Sequence, residues 1–239
     1  MTLLLATDFD GTIADIRVDP AGARIADDVR ELFADCLRRG GVAIAIISGR
    51  DLADLMGRTD GLALWRAGSH GLEVAAPDGQ VIRSARVFEG EPPSRWLAAA
   101  LSAGFRIETK KFGLALHWRG TDGLSSRHAL VDELRIWARD QGLVAIEGRS
   151  VLEVRIAGPS KRDALELLAA STSASVVSYA GDDVTDHEAL EWAGSRGTAF
   201  FVRSREHSST TLRDVVSVVD RATLLDAWRK LVFDAGRQA

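Results

Sequence analysis

Three short, mostly apolar runs end in clusters of small and acidic residues, and this narrows the fold more than any other feature of the chain. Leu3–Thr7 leads into Asp8-Phe9-Asp10-Gly11-Thr12, Val42–Ile47 into Ser48-Gly49-Arg50, and Val176–Ala180 into Gly181-Asp182-Asp183. Such runs lack the alternation of a half-exposed strand, so they predict strands covered on both faces. Between the first two, Ile25, Val29, Leu32, Phe33, Cys36 and Leu37 recur at helical spacing, and Gly40-Gly41 stops the helix. Strand, helix and strand with short connections form the βαβ unit of a parallel sheet. Asp51 stands where it would cap the helix after the second strand.

The texture changes after His70. Leu72–Ala75 and Val81-Ile82, separated by Pro77-Asp78-Gly79, predict a hairpin. Gly90-Glu91-Pro92-Pro93 is a break. A helix around Trp96–Leu101, two strands near 106–109 and 113–118, a longer helix with Leu130, Val131, Leu134 and Trp137 on one face, and two closing strands follow. The order αββαββ predicts a small α+β domain with an antiparallel sheet. The α/β pattern resumes after Gly158-Pro159-Ser160 and is expected to finish in helices. The fold class is therefore α/β: a doubly wound parallel-sheet core, residues 1–85 and 157–239, carrying an inserted α+β cap, residues 86–156.

A formal net charge of −4 over 239 residues argues against nucleic acid and anionic membranes as partners. Cys36 is the single cysteine, so no internal disulfide or thiolate cluster forms, and its apolar neighbours predict a core thiol. The apolar start is too short for a signal peptide, and no stretch reaches the ~20 apolar residues that span a bilayer. A cytoplasmic location is the resulting expectation.

Asp8 and Asp10, two apart in extended backbone, point to one side at the carboxyl end of a strand, where α/β sheets place ligands. Close carboxylates call for a cation; alternatively the segment is a strand-end turn with a helix cap. Ser48, Gly49 and the following N–H groups suit phosphate oxygens, or an ordinary N-cap turn. Lys161 opens a helix against the macrodipole, which a bound phosphate would explain; a solvated surface lysine is the plainer reading. Asp182, Asp183 and Asp186 complete an oxygen-rich set suited to Mg²⁺, or form an acidic loop that caps a helix.

Taken in order, Asp-x-Asp-x-Thr, Ser, Lys and Gly-Asp-Asp-x-x-Asp resemble the haloacid dehalogenase superfamily of phosphatases. The resemblance implies a nucleophile at Asp8, a general acid and base at Asp10, and phosphoryl binding by Thr12, Ser48, Gly49 and Lys161. It implies Mg²⁺ on Asp8, Asp182 and the Asp10 carbonyl, supported by Asp183 and Asp186.

The chain is similar to trehalose-6-phosphate phosphatases in particular. The likeness rests on Asp8–Ala14, Ile47–Arg50, Gly68–Glu73, Ala115–Arg119, Val151–Arg155 and Gly181–Asp186. It implies a small sugar phosphate as partner, with Arg50, His70, Glu108, Lys110, His117, Arg119, Arg149 and Glu153 facing the substrate. Carboxylates accept from sugar hydroxyls and cations donate to them; Glu108, Lys110 and Arg119 equally suit a solvated strand face, and His117 a core histidine. The chain departs from the family's usual pattern at Ser69, Arg149, Ile156, Arg162 and His187. Another phosphorylated disaccharide, a pseudo-disaccharide phosphate or a glycosylglycerol phosphate are alternative substrates. A phosphotransferase or mutase, and a non-catalytic sugar-phosphate sensor, are alternative functions.

Overall fold

Leu3–Thr7 forms β1, and all five of its residues are buried. It lies at the centre of the chain's larger sheet in a computed structural model that describes residues 2–17, 19–118, 125–148, 150–203 and 211–236. The remaining elements of the first part are α1 (Asp27–Arg39), β2 (Val42–Ile47), α2 (Leu52–Arg58), β3 (Trp65–Gly68), β4 (Glu73–Ala75) and β5 (Val81–Ser84). Then come α3 (Ser94–Ser102), β6 (Arg106–Lys110), β7 (Gly113–His117), α4 (Ser125–Asp140), β8 (Leu143–Gly148) and β9 (Val151–Ile156). The chain continues through α5 (Lys161–Ser171), β10 (Val176–Gly181), α6 (His187–Gly194), β11 (Gly197–Val202), β12 (Val215–Val218) and α7 (Arg221–Gly236). Two compact units result, one within Met1–Ser84 and Pro159–Ala239, the other within Ala85–Gly158.

In the first unit the described strands run in the order β12-β11-β10-β1-β2-β3-β4-β5. β1 pairs in parallel with both β10 and β2, and the pairings from β12 through β3 are all parallel. The β3–β4 and β4–β5 pairs are antiparallel, and the second of them is the hairpin expected from Leu72–Ala75 and Val81-Ile82. Leu5, Ile44 and Ile46 face one apolar layer with Val29 and Phe33 of α1 and Leu225 and Trp228 of α7. Leu4, Ala6, Ala45 and Ile47 face the other, with Leu165 and Leu168 of α5 and Leu190 of α6. Both sheet faces are thus covered, which is why β1 and β2 read as unbroken apolar runs. The chain leaves β1 for β2 on one side and leaves the adjacent β10 for β11 on the other, so the carboxyl ends of β1 and β10 flank a topological switch point. Cys36 is buried in the first layer, as its neighbours predict.

The second unit has a four-stranded antiparallel sheet in the order β6-β7-β9-β8, matching the αββαββ reading. Leu114, Leu116, Leu152 and Val154 turn toward α3 and α4, where Trp96, Leu130 and Leu134 complete a core. Strand alternation and the observed register put Arg106, Glu108, Lys110, His117, Glu153 and Arg155 together on the opposite face.

Two local expectations fail. Val215–Val218 is a strand, not part of a terminal helix; its β-branched residues add one short parallel edge beside β11. Asp51 occupies the N-cap position of α2 but makes no capping hydrogen bond. Its Oδ1 instead accepts from the Ser69 hydroxyl at 3.0 Å, a tertiary contact that outcompetes the local one.

Candidate active site

The carboxyl ends of β1, β2 and β10, with the first residue of α5, carry the polar groups expected to do chemistry. Asp8 follows β1 and its N–H donates to the Ala180 carbonyl at 2.8 Å, which ties the end of β1 to β10. Lys161 donates to Asp8 Oδ1 at 2.7 Å and to Asp186 Oδ1 at 2.8 Å. Ser160 caps α5 in a reciprocal capping box with Asp163, so the helix start that aims Lys161 is held locally. Tyr179 donates its hydroxyl to Asp186 Oδ1 at 2.6 Å, and the Asp183 N–H donates to Asp186 Oδ2 at 3.2 Å. Asp8, Lys161, Asp182 and Asp186 are all buried. Asp8, Asp182 and Asp186 each offer a carboxylate oxygen, and these lie within 4.8 Å of one another.

Electrostatics follow from this enclosure. Burial alone would lower the Lys161 pKa, but Asp186 and Asp8 outweigh it and hold the ammonium charged above its ordinary range. Burial pushes the Asp8 carboxyl well above the usual carboxylate range against the pull of Lys161, with Asp186 and Asp182 adding to the rise. Three buried acidic side chains thus crowd one another beside a single ammonium, and their mutual repulsion favours keeping a proton on Asp8 when no metal is bound. A divalent, oxygen-seeking cation relieves that crowding, so the donor set fits Mg²⁺. Gly11, at φ 89°, lies so close to Asp182 that a Cβ would sit 2.1 Å from its Oδ2. The Asp-x-Asp-Gly-Thr loop is therefore shaped around the Asp182 carboxylate, and only glycine fits there.

The other core residues divide into two groups. Thr12 Oγ1 is buried with no hydrogen-bond partner, a costly state for a hydroxyl unless a ligand reaches it. Ser48 is buried, and its Oγ accepts from the Arg50 N–H at 3.2 Å. Gly49 lies between them, against the His70 ring. Ser69 and His70 have φ of 48° and 56°. Left-handed backbone costs a non-glycine residue about 1–2 kcal/mol. The strained turn is held by Ser69 N–H donating to the Arg50 carbonyl at 2.7 Å and His70 N–H to the Ser48 carbonyl at 2.9 Å. His70 is thus part of the wall behind Ser48.

Arg50, expected on the substrate, grips Asp10 in this structure. Its Nε and second terminal nitrogen donate to the two Asp10 oxygens, both at 2.7 Å, a bidentate pair. Asp54 accepts from Arg50 at 2.9 Å and from Arg58 at 2.8 Å, and Arg58 donates to the Ala23 carbonyl at 2.6 Å. The Arg50 guanidinium also lies 5.3 Å from the centroid of the buried Phe9 ring. Residues 50, 54 and 58 are spaced at i, i+4, which is the sequence signal for this relay. Tyr179 escaped the reading because it sits inside an apolar strand run; its position two residues before Gly181 is the signal, since the two share a face of β10.

In the second unit, His117 Nε2 donates to Glu108 Oε2 at 2.7 Å and Lys110 to Glu153 Oε2 at 2.7 Å. The hydrogen bond from His117 draws the Glu108 pKa below its ordinary value against partial burial, with Lys110 assisting. These four candidates share the polar face of one sheet. Arg119 and Arg149 lie outside the described residues. No helix among the described residues is long and apolar enough to cross a membrane.

Residues 6–218 match the family model described as Trehalose-phosphatase. A trehalose-phosphate phosphatase of Mycobacterium marinum is 35% identical over 219 residues, covering 83% of this chain and 53% of its own. The chain thus spans about half the length of the curated relatives it matches. The C-terminal domain of the C. albicans trehalose-6-phosphate phosphatase superposes with a TM-score of 0.74 at 20% identity, covering 97% of this chain and 92% of that one. A phosphatase of the haloalkanoate (HAD) enzyme superfamily from Bacteroides thetaiotaomicron superposes with a TM-score of 0.64 at 18% identity, covering 96% and 95%. Those two likenesses show the fold, and the sequence match carries the assignment further: the chain belongs to the trehalose-phosphatase family.

Proposed function

We propose that the chain is a Mg²⁺-dependent phosphatase that hydrolyses trehalose 6-phosphate to trehalose and phosphate through an aspartyl phosphate on Asp8. One observation carries the reading: a buried nucleophile candidate, Asp8, is held by a buried lysine at a strand end where three buried acidic side chains come within reach of one cation. The orphaned Thr12 hydroxyl in the same loop supports it, because a phosphoryl oxygen is the kind of acceptor it lacks.

Asp8, Asp182 and the Asp10 carbonyl would hold Mg²⁺, with Asp183 and Asp186 in support. Bound there, the ion supplies positive charge that offsets the repulsion between phosphoryl oxygens and an attacking carboxylate. Lys161 orients the Asp8 carboxylate and donates to a phosphoryl oxygen. Thr12, Ser48 and the Gly49 N–H take the others. Asp8 attacks phosphorus, the bond from phosphorus to the sugar oxygen breaks, and Asp10 gives that oxygen its proton. Asp10 then takes a proton from water, whose oxygen attacks phosphorus and expels Asp8 as the carboxylate. Arg50 serves by orienting Asp10, and Glu108, Lys110, His117 and Glu153 of the second unit bind sugar hydroxyls.

The test is phosphate release from a panel of sugar phosphates with Mg²⁺, for wild type and Asp8→Asn. Selective hydrolysis of trehalose 6-phosphate that disappears in the variant is the expected result. Asp8-dependent release from a different sugar phosphate keeps the chemistry and overturns the substrate. Release that survives Asp8→Asn overturns the mechanism.

A further inference from the structure

We propose that Tyr179 is a positioning residue for this reaction: its hydroxyl fixes the Asp186 carboxylate, which in turn holds the Lys161 ammonium against Asp8. The inference rests on the phosphatase reading above and adds a residue to it.

Both carboxylate oxygens of Asp186 accept hydrogen bonds inside the protein. Oδ1 accepts from Tyr179 at 2.6 Å and from Lys161 at 2.8 Å, and Oδ2 accepts from the Asp183 N–H at 3.2 Å. Asp186 and Tyr179 are both fully buried. The carboxylate therefore acts as an orienter of Lys161 and stands behind the cation site, although it lies beside Asp8 and Asp182. The backbone makes room for it: a Cβ on Gly181 would come within 2.4 Å of the Asp186 carboxyl carbon. Tyr179 and Gly181, two apart on β10, present the hydroxyl and the gap from the same side of the strand.

The ring of Tyr179 packs in an apolar layer with Leu4, Ala6, Leu165 and Phe201, and phenylalanine would satisfy that packing equally well. The hydroxyl has a separate task. It shares Oδ1 with the ammonium, so Lys161 is divided between Asp186 and Asp8 rather than drawn wholly to Asp186. Without the hydroxyl, Asp186 loses one of its donors and pulls Lys161 away from Asp8. Phosphoryl transfer then slows, while the groups that bind sugar and Mg²⁺ stay in place.

Tyr179→Phe tests this directly, measured with trehalose 6-phosphate and with p-nitrophenyl phosphate as a sugar-independent probe. Outer groups that orient reacting ones typically cost 10–100-fold when removed. The expected result is a kcat about 10- to 100-fold lower, with KM and the Mg²⁺ half-saturation unchanged within about threefold. In an Asp186→Asn background the same substitution should cost less than about threefold, because the hydroxyl acts through that carboxylate. A wild-type kcat overturns the proposal, as does a loss carried by KM or by Mg²⁺, or a full additional loss in the Asp186→Asn background. Should Asp186→Asn fail to fold, the NMR signal of the Lys161 ammonium decides: it shifts in Tyr179→Phe if the proposal holds, and an unmoved signal overturns it. Asp8→Asn, run in parallel, separates the two levels. If it is inactive and Tyr179→Phe behaves as wild type, only the role of Tyr179 falls; if it is active, the phosphatase mechanism itself falls.

Discussion

The two units carry their charges in opposite ways. In the first, Lys161, Asp8 and Asp186 have side chains no more than 7% exposed and interlock through shared oxygens. In the second, Glu108 is 40% exposed and its partner His117, on the neighbouring strand, is 21% exposed, while Lys110 on β6 reaches Glu153 on β9 across β7. Lys110 and Glu153, at 12% and 10%, are intermediate. A buried, over-determined cluster keeps electrostatics strong and reorganisation small, which is what bond-making requires. Half-solvated pairs on a sheet can exchange partners with sugar hydroxyls at low cost, which is what recognition requires.

The sharpest way to break this contrast is to remove the nucleophile. Asp8→Asn should lower phosphate release by about 10⁴-fold or more, as loss of a covalent nucleophile does elsewhere. Residual turnover near wild type would move the chemistry out of the buried cluster.

Lys161→Ala comes next. Removing one partner of a buried ion pair costs about 3–5 kcal/mol of stability, whereas half-exposed pairs contribute about 1 kcal/mol or less. Denaturant titration should therefore show a large loss for Lys161→Ala and a small one for Glu108→Gln. Equal losses would erase the distinction between the units.

The recognition half is probed by His117→Ala and Glu153→Gln. Each should raise KM for the sugar phosphate about tenfold, the scale of one or two lost hydrogen bonds. Hydrolysis of p-nitrophenyl phosphate should change less than about twofold. A matching fall with both substrates would mean that these side chains support the fold and do not read the sugar.

The smallest effect separates the units by its sign. The raised Asp8 pKa means that the metal-free folded state binds a proton more readily than the unfolded chain. Its contribution to stability is full below the unfolded value of about 3.9 and is lost as pH rises through the folded value. Glu108 is lowered, so its contribution is present above the unfolded value and is lost as pH falls through the folded one. Metal-free wild type should gain in melting temperature as pH drops from neutral toward 5, and Asp8→Asn should flatten that gain. Added Mg²⁺ should raise the wild-type melting temperature at neutral pH and raise that of Asp8→Asn less. A wild-type curve with no acid gain and no Mg²⁺ response would refute the crowding of buried acidic groups in the core.

Much of the chemistry was legible because it stands at the ends of strands that announce themselves. The apolar runs before Asp8, Ser48 and Asp182 are visible one residue at a time, and parallel sheets bring such ends together. Val215–Val218 was not legible, since four residues at a sheet edge, three of them valine, have no periodicity to distinguish them. Arg50 was legible as a strand-end cation but not as the partner of Asp10, which lies 40 residues away in the chain.

The sequence by itself determined the α/β core, the α+β insertion, and which residue types stand at the strand ends, because hydrophobic period and turn chemistry are local properties. Only the tertiary structure decided how those groups are shared. That Asp51 leaves its helix for Ser69, that Arg50 takes Asp10, and that a strand tyrosine supplies the third hydrogen bond to Asp186 all depend on burial. Inside a protein each polar group must find a partner, and the partner it finds is set by packing between distant segments rather than by neighbours in the chain.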